Sequence, residues 1–178
     1  SSLTDGGDLS VNAAAVMLGS FGLQTLIDDT NSIYVTDNSP NAEKRYRARF
    51  YFDPNSIGMA PLDRHLIFMG YSTSSQPALS IELRYLANTG YQLRTAMYTD
   101  AGTWFYSAFA NISDGPHFIE LDWQAASAPG ANDGGLNWWI DGIARNALTG
   151  LDNDTRQIES VRLGAVSGLD SGTRGTYF

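Results

Sequence analysis

Hydrophobic and polar residues alternate with a period of two along most of the chain. In "RYRARFYF" (45–52), Tyr46, Ala48, Phe50 and Phe52 fall on one side and Arg45, Arg47, Arg49 and Tyr51 on the other. Successive side chains of a strand point to opposite faces, so this stretch is a half-buried strand. Asp53-Pro54-Asn55 ends it, because proline removes a ladder donor and asparagine suits a turn. "HLIFMGYS" (65–72) is more uniformly apolar and predicts a second strand, with His65 at its start as a surface residue. "ALSIELRYL" and "YQLRTAMYT" predict a hairpin around Asn88-Thr89-Gly90. Ile81, Leu83 and Tyr85 share a core face with Leu93 and Met97 only if the loop has an odd length. Three residues ending in a left-handed Gly90 satisfy this. That register sets Arg84 opposite Arg94 on the outer face, an unfavourable pair. Glu82 and Asp122 are the candidate neutralising anions.

"GTWFYSAFA" (102–110) predicts another strand. In "HFIELDWQ" (117–124), His117, Ile119, Leu121 and Trp123 alternate with Phe118, Glu120, Asp122 and Gln124. "LNWWIDG" runs into a hairpin turn at Asp141-Gly142. "RQIESVRLGAV" (156–166) is the last clear strand. Residues 125–135 form a long small-residue loop and 149–155 a turn-rich connection. Helix patterning is weak; "VNAAAVMLG" (11–19) fits a short helix or a strand. No internal repeat is visible. Many short strands with Gly/Asn/Asp turns predict an all-β fold, an antiparallel β-sandwich of two packed sheets.

Composition narrows the partners. The chain has 178 residues, which favours a single domain over 1–178. Net charge is −8, and ten of the eleven basic residues are Arg. An acidic chain without a basic run argues against nucleic acid and anionic membrane surfaces. No apolar run reaches the roughly 20 residues of a membrane span. The chain begins without Met or a signal peptide, as a processed or excised piece would. Absence of cysteine excludes disulfides, thiolate metal sites and cysteine nucleophiles. Two distant histidines, His65 and His117, argue against a zinc site and a Ser-His-Asp centre; His117 reads as a partly buried, hydrogen-bonded side chain. No glycine-rich phosphate loop opens a helix. The triplets Asn111-Ile112-Ser113 and Asn153-Asp154-Thr155 have the form of glycosylation acceptors.

From about residue 45 onward, "RYRARFYFDPNSI", "IFMGY", "IELRY", "YQLRTAM", "HFIELDWQAA", "GLNWWIDG" and "VRLGAVSGLDSGTRGTYF" follow in an order that resembles the laminin-G-like branch of the concanavalin-A-like jelly rolls of secreted bacterial proteins. The resemblance covers roughly three quarters of the chain. It implies an extracellular or cell-surface recognition domain, with calcium often held at loops. In the relatives the last strand continues where this chain stops at Phe178, so a strand from further residues or from a neighbour is expected to complete the sheet.

Glycan hydrolases of the same superfamily place three carboxylates along one strand, as Glu-x-Asp-x-Glu or Glu-x-Asp-x-x-Glu. Here Glu120 and Asp122 occupy the first two places, and Gln124 or Ala125 stands at the third. A retaining mechanism needs a nucleophile and a separate acid/base, and neither Gln nor Ala ionises. The expectation is therefore a domain without catalysis. Trp138 and Trp139 are consecutive and face opposite ways. Trp138 shares the core face with Leu136 and Ile140; Trp139 lies outside with Asn137 and Asp141. An exposed Trp beside amides, carboxylates and Arg can stack on a sugar ring and bond its hydroxyls. Trp139, Asn137, Glu120, Asp122, Glu82, Arg84, Arg94 and Tyr98 are the candidate ligand-binding residues. Asp28, Asp29, Asp152, Asp154 and Asp170 are the candidate Ca²⁺ ligands, as loop-placed oxygen donors. The expected function is recognition or adhesion toward a glycan or an extracellular protein. The alternative is a self-assembling filament, sheath or surface-layer subunit, and a glycan hydrolase or lyase follows it.

Overall fold

A computed structural model describes residues 1–73 and 76–178. Its strands are β1 (Ser2–Leu3), β2 (Leu9–Asn12), β3 (Gly22–Ile27), β4 (Ile33–Asp37), β5 (Arg45–Phe52), β6 (Arg64–Tyr71), β7 (Pro77–Leu86), β8 (Gly90–Tyr98), β9 (Trp104–Tyr106), β10 (Ala110–Asn111), β11 (His117–Gln124), β12 (Gly134–Ile140), β13 (Ile143–Ala144), β14 (Leu148–Leu151), β15 (Ser160–Ser167) and β16 (Gly175–Tyr177). Among the described residues the helical elements are two short 3₁₀ turns, Asp5–Gly7 and Ala13–Ala15.

The strands pair antiparallel in a sandwich. The larger sheet runs β1-β4-β15-β6-β7-β8-β10, with β9 also on β8; the second runs β13-β12-β11-β5, with β14 on β12. Leu79, Ile81, Leu83, Leu93 and Met97 of the first sheet and Ile119, Leu121, Trp123, Leu136, Trp138 and Ile140 of the second form the buried core between them. Alternation alone puts these residues inside, as the period-two pattern requires. A third sheet, β16-β3-β2, is added to the two expected. Paired backbone bonds between Asp53 and Phe178 join it to the end of β5.

Several local expectations change. In the β7–β8 hairpin Leu86 pairs with Gly90, so the three-residue loop is Ala87-Asn88-Thr89, and Gly90 (φ 82°) already belongs to the strand. This shift by two keeps every core residue inside but places Glu82, not Arg84, opposite Arg94. Parity allows both registers; opposite charges favour the observed one. The segment 102–110 is not one strand: β9 and β10 flank a break at 107–109. Residues 148–151 pair with β12 rather than turning, and 11–19 is the end of β2 followed by a 3₁₀ turn capped by the Asn12 side chain. His65 is not at the surface; it opposes Leu83 on the inner face and is 1% exposed.

Candidate functional site

The outer face of the second sheet assembles three rows across β5, β11 and β12. Arg49 opposes Glu120, which opposes Trp139; Arg47 opposes Asp122, which opposes Asn137; Arg45 opposes Gln124, which opposes Gly135. An open groove of about 550 Å³ runs over the first two rows, with Arg47, Arg49, Glu120, Asp122 and Trp139 in its walls; Arg45, Gln124, Gly135 and Asn137 line a smaller hollow beside it. Trp139 stands at one side because the Asp141-Gly142 turn (φ 54° and 75°) closes β12 onto β13 with the tandem tryptophans in fixed alternation. Trp138 is buried below it and donates its indole N–H to the Asn146 carbonyl at 3.0 Å.

The arginines of β5 are organised by the groove floor. The Asp122 carboxylate accepts from Arg45 Nε at 2.8 Å and Arg45 Nη2 at 2.6 Å, and from Arg47 Nη2 at 3.1 Å. The hydrogen bonds from Arg45 above all, with those from Arg47, hold the carboxyl down at about 2, against the desolvation that opposes them. Asp122 is therefore an anion near neutrality and has no proton to donate. Arg49 is held differently: its guanidinium lies 4.6 Å from the Phe118 ring centroid and 5.8 Å from that of Tyr51. Among the described residues Arg49 and Glu120 make no ion pair.

Asp122→Asn is expected to cost about 1 kcal/mol near pH 7, a value discounted because Arg45 and Arg47 are half or more exposed. A carboxyl lowered in the fold stabilises above its unfolded value of 3.8 and stops doing so as pH falls toward about 2. The difference between variant and parent should shrink over that window, as read from denaturant midpoints.

Half of the expected ligand-binding residues lie elsewhere. Trp139, Asn137, Glu120 and Asp122 share the groove face, but Glu82, Arg84, Arg94 and Tyr98 belong to β7 and β8 of the other sheet, whose outer surface points the opposite way. There Glu82 meets Arg94 Nε at 2.5 Å and Arg64 Nε at 3.8 Å, and Arg84 binds Gln92. Both Arg84 and Arg94 stack on Phe109, at 3.4 and 4.5 Å. Tyr98 packs on Trp104. Asp122 thus neutralises Arg45 and Arg47 rather than Arg84 and Arg94. Alternation places Arg45, Arg47 and Arg49 on an outer face but does not join them to the acids. Their signal is three Arg at two-residue steps between apolar residues.

The candidate cation ligands also divide. Asp152 and Asp154 come together with Asp100, which was not expected, with oxygens within 4.8 Å of one another; Asp28, Asp29 and Asp170 are outside that group. Asp100 already binds Arg156 Nε at 3.3 Å and the Thr155 hydroxyl. Arg174 donates to the backbone carbonyls of Asp29 and Asp170. His117 is buried and bridges Asp141 Oδ2 (2.6 Å, Nδ1) and Ser113 Oγ (3.0 Å, Nε2), tying the 113–116 turn to the β12–β13 hairpin. Asn153 is fully buried and accepts from the Ala126 N–H at 2.9 Å, so its triplet is no glycosylation acceptor in the folded chain.

No known family model matches the chain, and no curated relative matches it in sequence. Solved structures do match it in fold. An endo-β-1,4-glucuronan lyase from the fungus Trichoderma reesei superposes with a TM-score of 0.65 at 16% identity, covering 95% of this chain and 83% of that one. An alginate lyase from Alteromonas sp. gives 0.51 at 9%, covering 96% and 81%. The botulinum neurotoxin serotype D ligand binding domain, in complex with N-acetylneuraminic acid, gives 0.57 at 9%; this chain covers 42% of its length. At these identities the likeness establishes that the chain has the β-sandwich jelly-roll fold.

Proposed function

We propose that this domain binds carbohydrate on the outer face of its second sheet and does not cleave it. One observation carries the reading: β5, β11 and β12 bring a partly exposed Trp139, the Glu120 carboxylate and the guanidiniums of Arg47 and Arg49 to a single open groove, with Asn137 beside it on the same face. A sugar needs an apolar platform for one ring face and donors and acceptors at its rim. The three named structural neighbours act on or bind saccharides according to their descriptions, which supports the same reading. Binding without cleavage is supported by the acids: Asp122 is locked as an anion between two arginines, and Gln124 occupies the next place on the same face. The motif order from residue 45 supports a laminin-G-like, extracellular setting.

A glycan array followed by titration tests this. Trp139→Ala is expected to weaken binding at least tenfold, or about 1.4 kcal/mol, while Trp104→Ala, on the other sheet, leaves it unchanged. Polysaccharide incubated with the protein should keep its viscosity, which reports hydrolysis and elimination alike. Failure to bind any saccharide, or loss of viscosity that follows Glu120, overturns the proposal.

A further inference from the structure

We propose that the saccharide is acidic: the face is built for a carboxylate-bearing, uronate-type chain, with Arg49 as its open fork and Arg47 as the neighbouring one. This rests on the carbohydrate-binding reading and names the class of sugar. β5 sets Arg45, Arg47 and Arg49 in one line at two-residue steps, about 7 Å apart. Asp122 takes Arg45 through two nitrogens but only one Nη2 of Arg47. The remaining donors of Arg47, whose side chain is 66% exposed, stay available. Arg49 has no carboxylate at all among the described residues. It is nevertheless held in place, stacked over Phe118 and near Tyr51, with Nη2 3.5 Å from the Tyr51 hydroxyl. A guanidinium held beside aromatic rings and lining a groove is partly preorganised for a two-point grip on carboxylate.

The groove wall sets Arg47 and Arg49 against Glu120 and Asp122, a locally neutral patch in a chain whose total is −8, so an anion meets less repulsion there than over the rest of the surface. A neutral sugar leaves Arg49 unmatched; one carboxylate per binding subsite matches it. Glu120 and Asp122 on the same floor oppose densely charged polyanions, so the face fits sparse carboxylates between hydroxyl-rich rings rather than any anion. Trp139, across Glu120 from Arg49, supplies the ring platform.

The test compares a polyglucuronate with the same polymer after carboxyl reduction, with dextran sulfate as a third ligand, by calorimetry at 0.15 M salt. Polyglucuronate is expected to bind at least tenfold more tightly than its reduced form. Arg49→Gln should weaken polyglucuronate roughly tenfold without affecting the reduced polymer, and Arg49→Lys should fall between, since it keeps charge but loses the fork. Trp139→Ala should weaken both. Equal binding of native and reduced polymer overturns the acidic class while leaving carbohydrate binding intact. Dextran sulfate binding that equals polyglucuronate and ignores Trp139 overturns it in favour of unspecific polyanion attraction. No binding of either uronate polymer or reduced polymer overturns the carbohydrate reading itself.

Discussion

Trp138→Ala is expected to destabilise the domain by roughly 3–5 kcal/mol, whereas Trp139→Ala, one residue on, is expected to cost under about 1 kcal/mol. Trp138 is 1% exposed and packs between the sheets with Leu136, Ile140 and Trp123. Truncating it removes the largest kind of side chain from a close-packed interior and leaves a void the rigid strands cannot fill. It also removes the indole donor to the Asn146 carbonyl. Against a typical total of about 5–15 kcal/mol, the loss takes roughly a fifth of the stability or more. Trp139 lines the open groove, keeps part of its surface exposed, and leaves no closed void between the sheets when truncated. Denaturant unfolding with an unchanged slope for both variants checks this. Equal losses would mean that the tandem tryptophans are not divided between core and groove.

That division is also the clearest instance of structure legible in residues alone. Alternation in 45–52 and 117–124 marks β5 and β11, because charged and amide residues fill most of one face of each, Tyr51 and Phe118 apart. β2, β3 and β4 were not resolved as separate strands, since glycine, aspartate and serine interrupt the alternation before residue 45. The β7–β8 register was open between two choices of the same parity, and only the charges of Glu82 and Arg94 separate them.

The site was half legible for a geometric reason. A period of two says which residues leave the core but not which of two outward surfaces they leave by. Glu82, Arg84, Arg94 and Tyr98 were outward residues of the wrong sheet. Joining Arg45 to Asp122 requires knowing that strands 77 residues apart are neighbours, and nothing local in either strand carries that pairing. Trp139 could be placed because the turn beside it, Asp141-Gly142, fixes its strand and its side at once.

His65 yields the other large effect, a loss of about 3 kcal/mol of stability as pH falls from 6.5 to about 4. The ring is wholly buried against Tyr177, at 5.8 Å between centroids, and neither nitrogen has a hydrogen-bond partner. Burial pushes the imidazole down from 6.5 to about 4, opposed only in part by the charge of Asp170. In the unfolded chain the same group takes up its proton near 6.5. Between the two values the unfolded state binds a proton that the fold refuses, so stability falls with pH over that window and levels off below it. A gap of about 2.5 pH units corresponds to roughly 3 kcal/mol. His65→Phe keeps the stacked ring and removes the titration, so its stability should be flat over the same range apart from the carboxylates common to both proteins. Subtracting one pH profile from the other isolates the effect. Parallel decline of parent and variant between pH 6.5 and 4 would show that His65 reaches solvent or a partner in the native state.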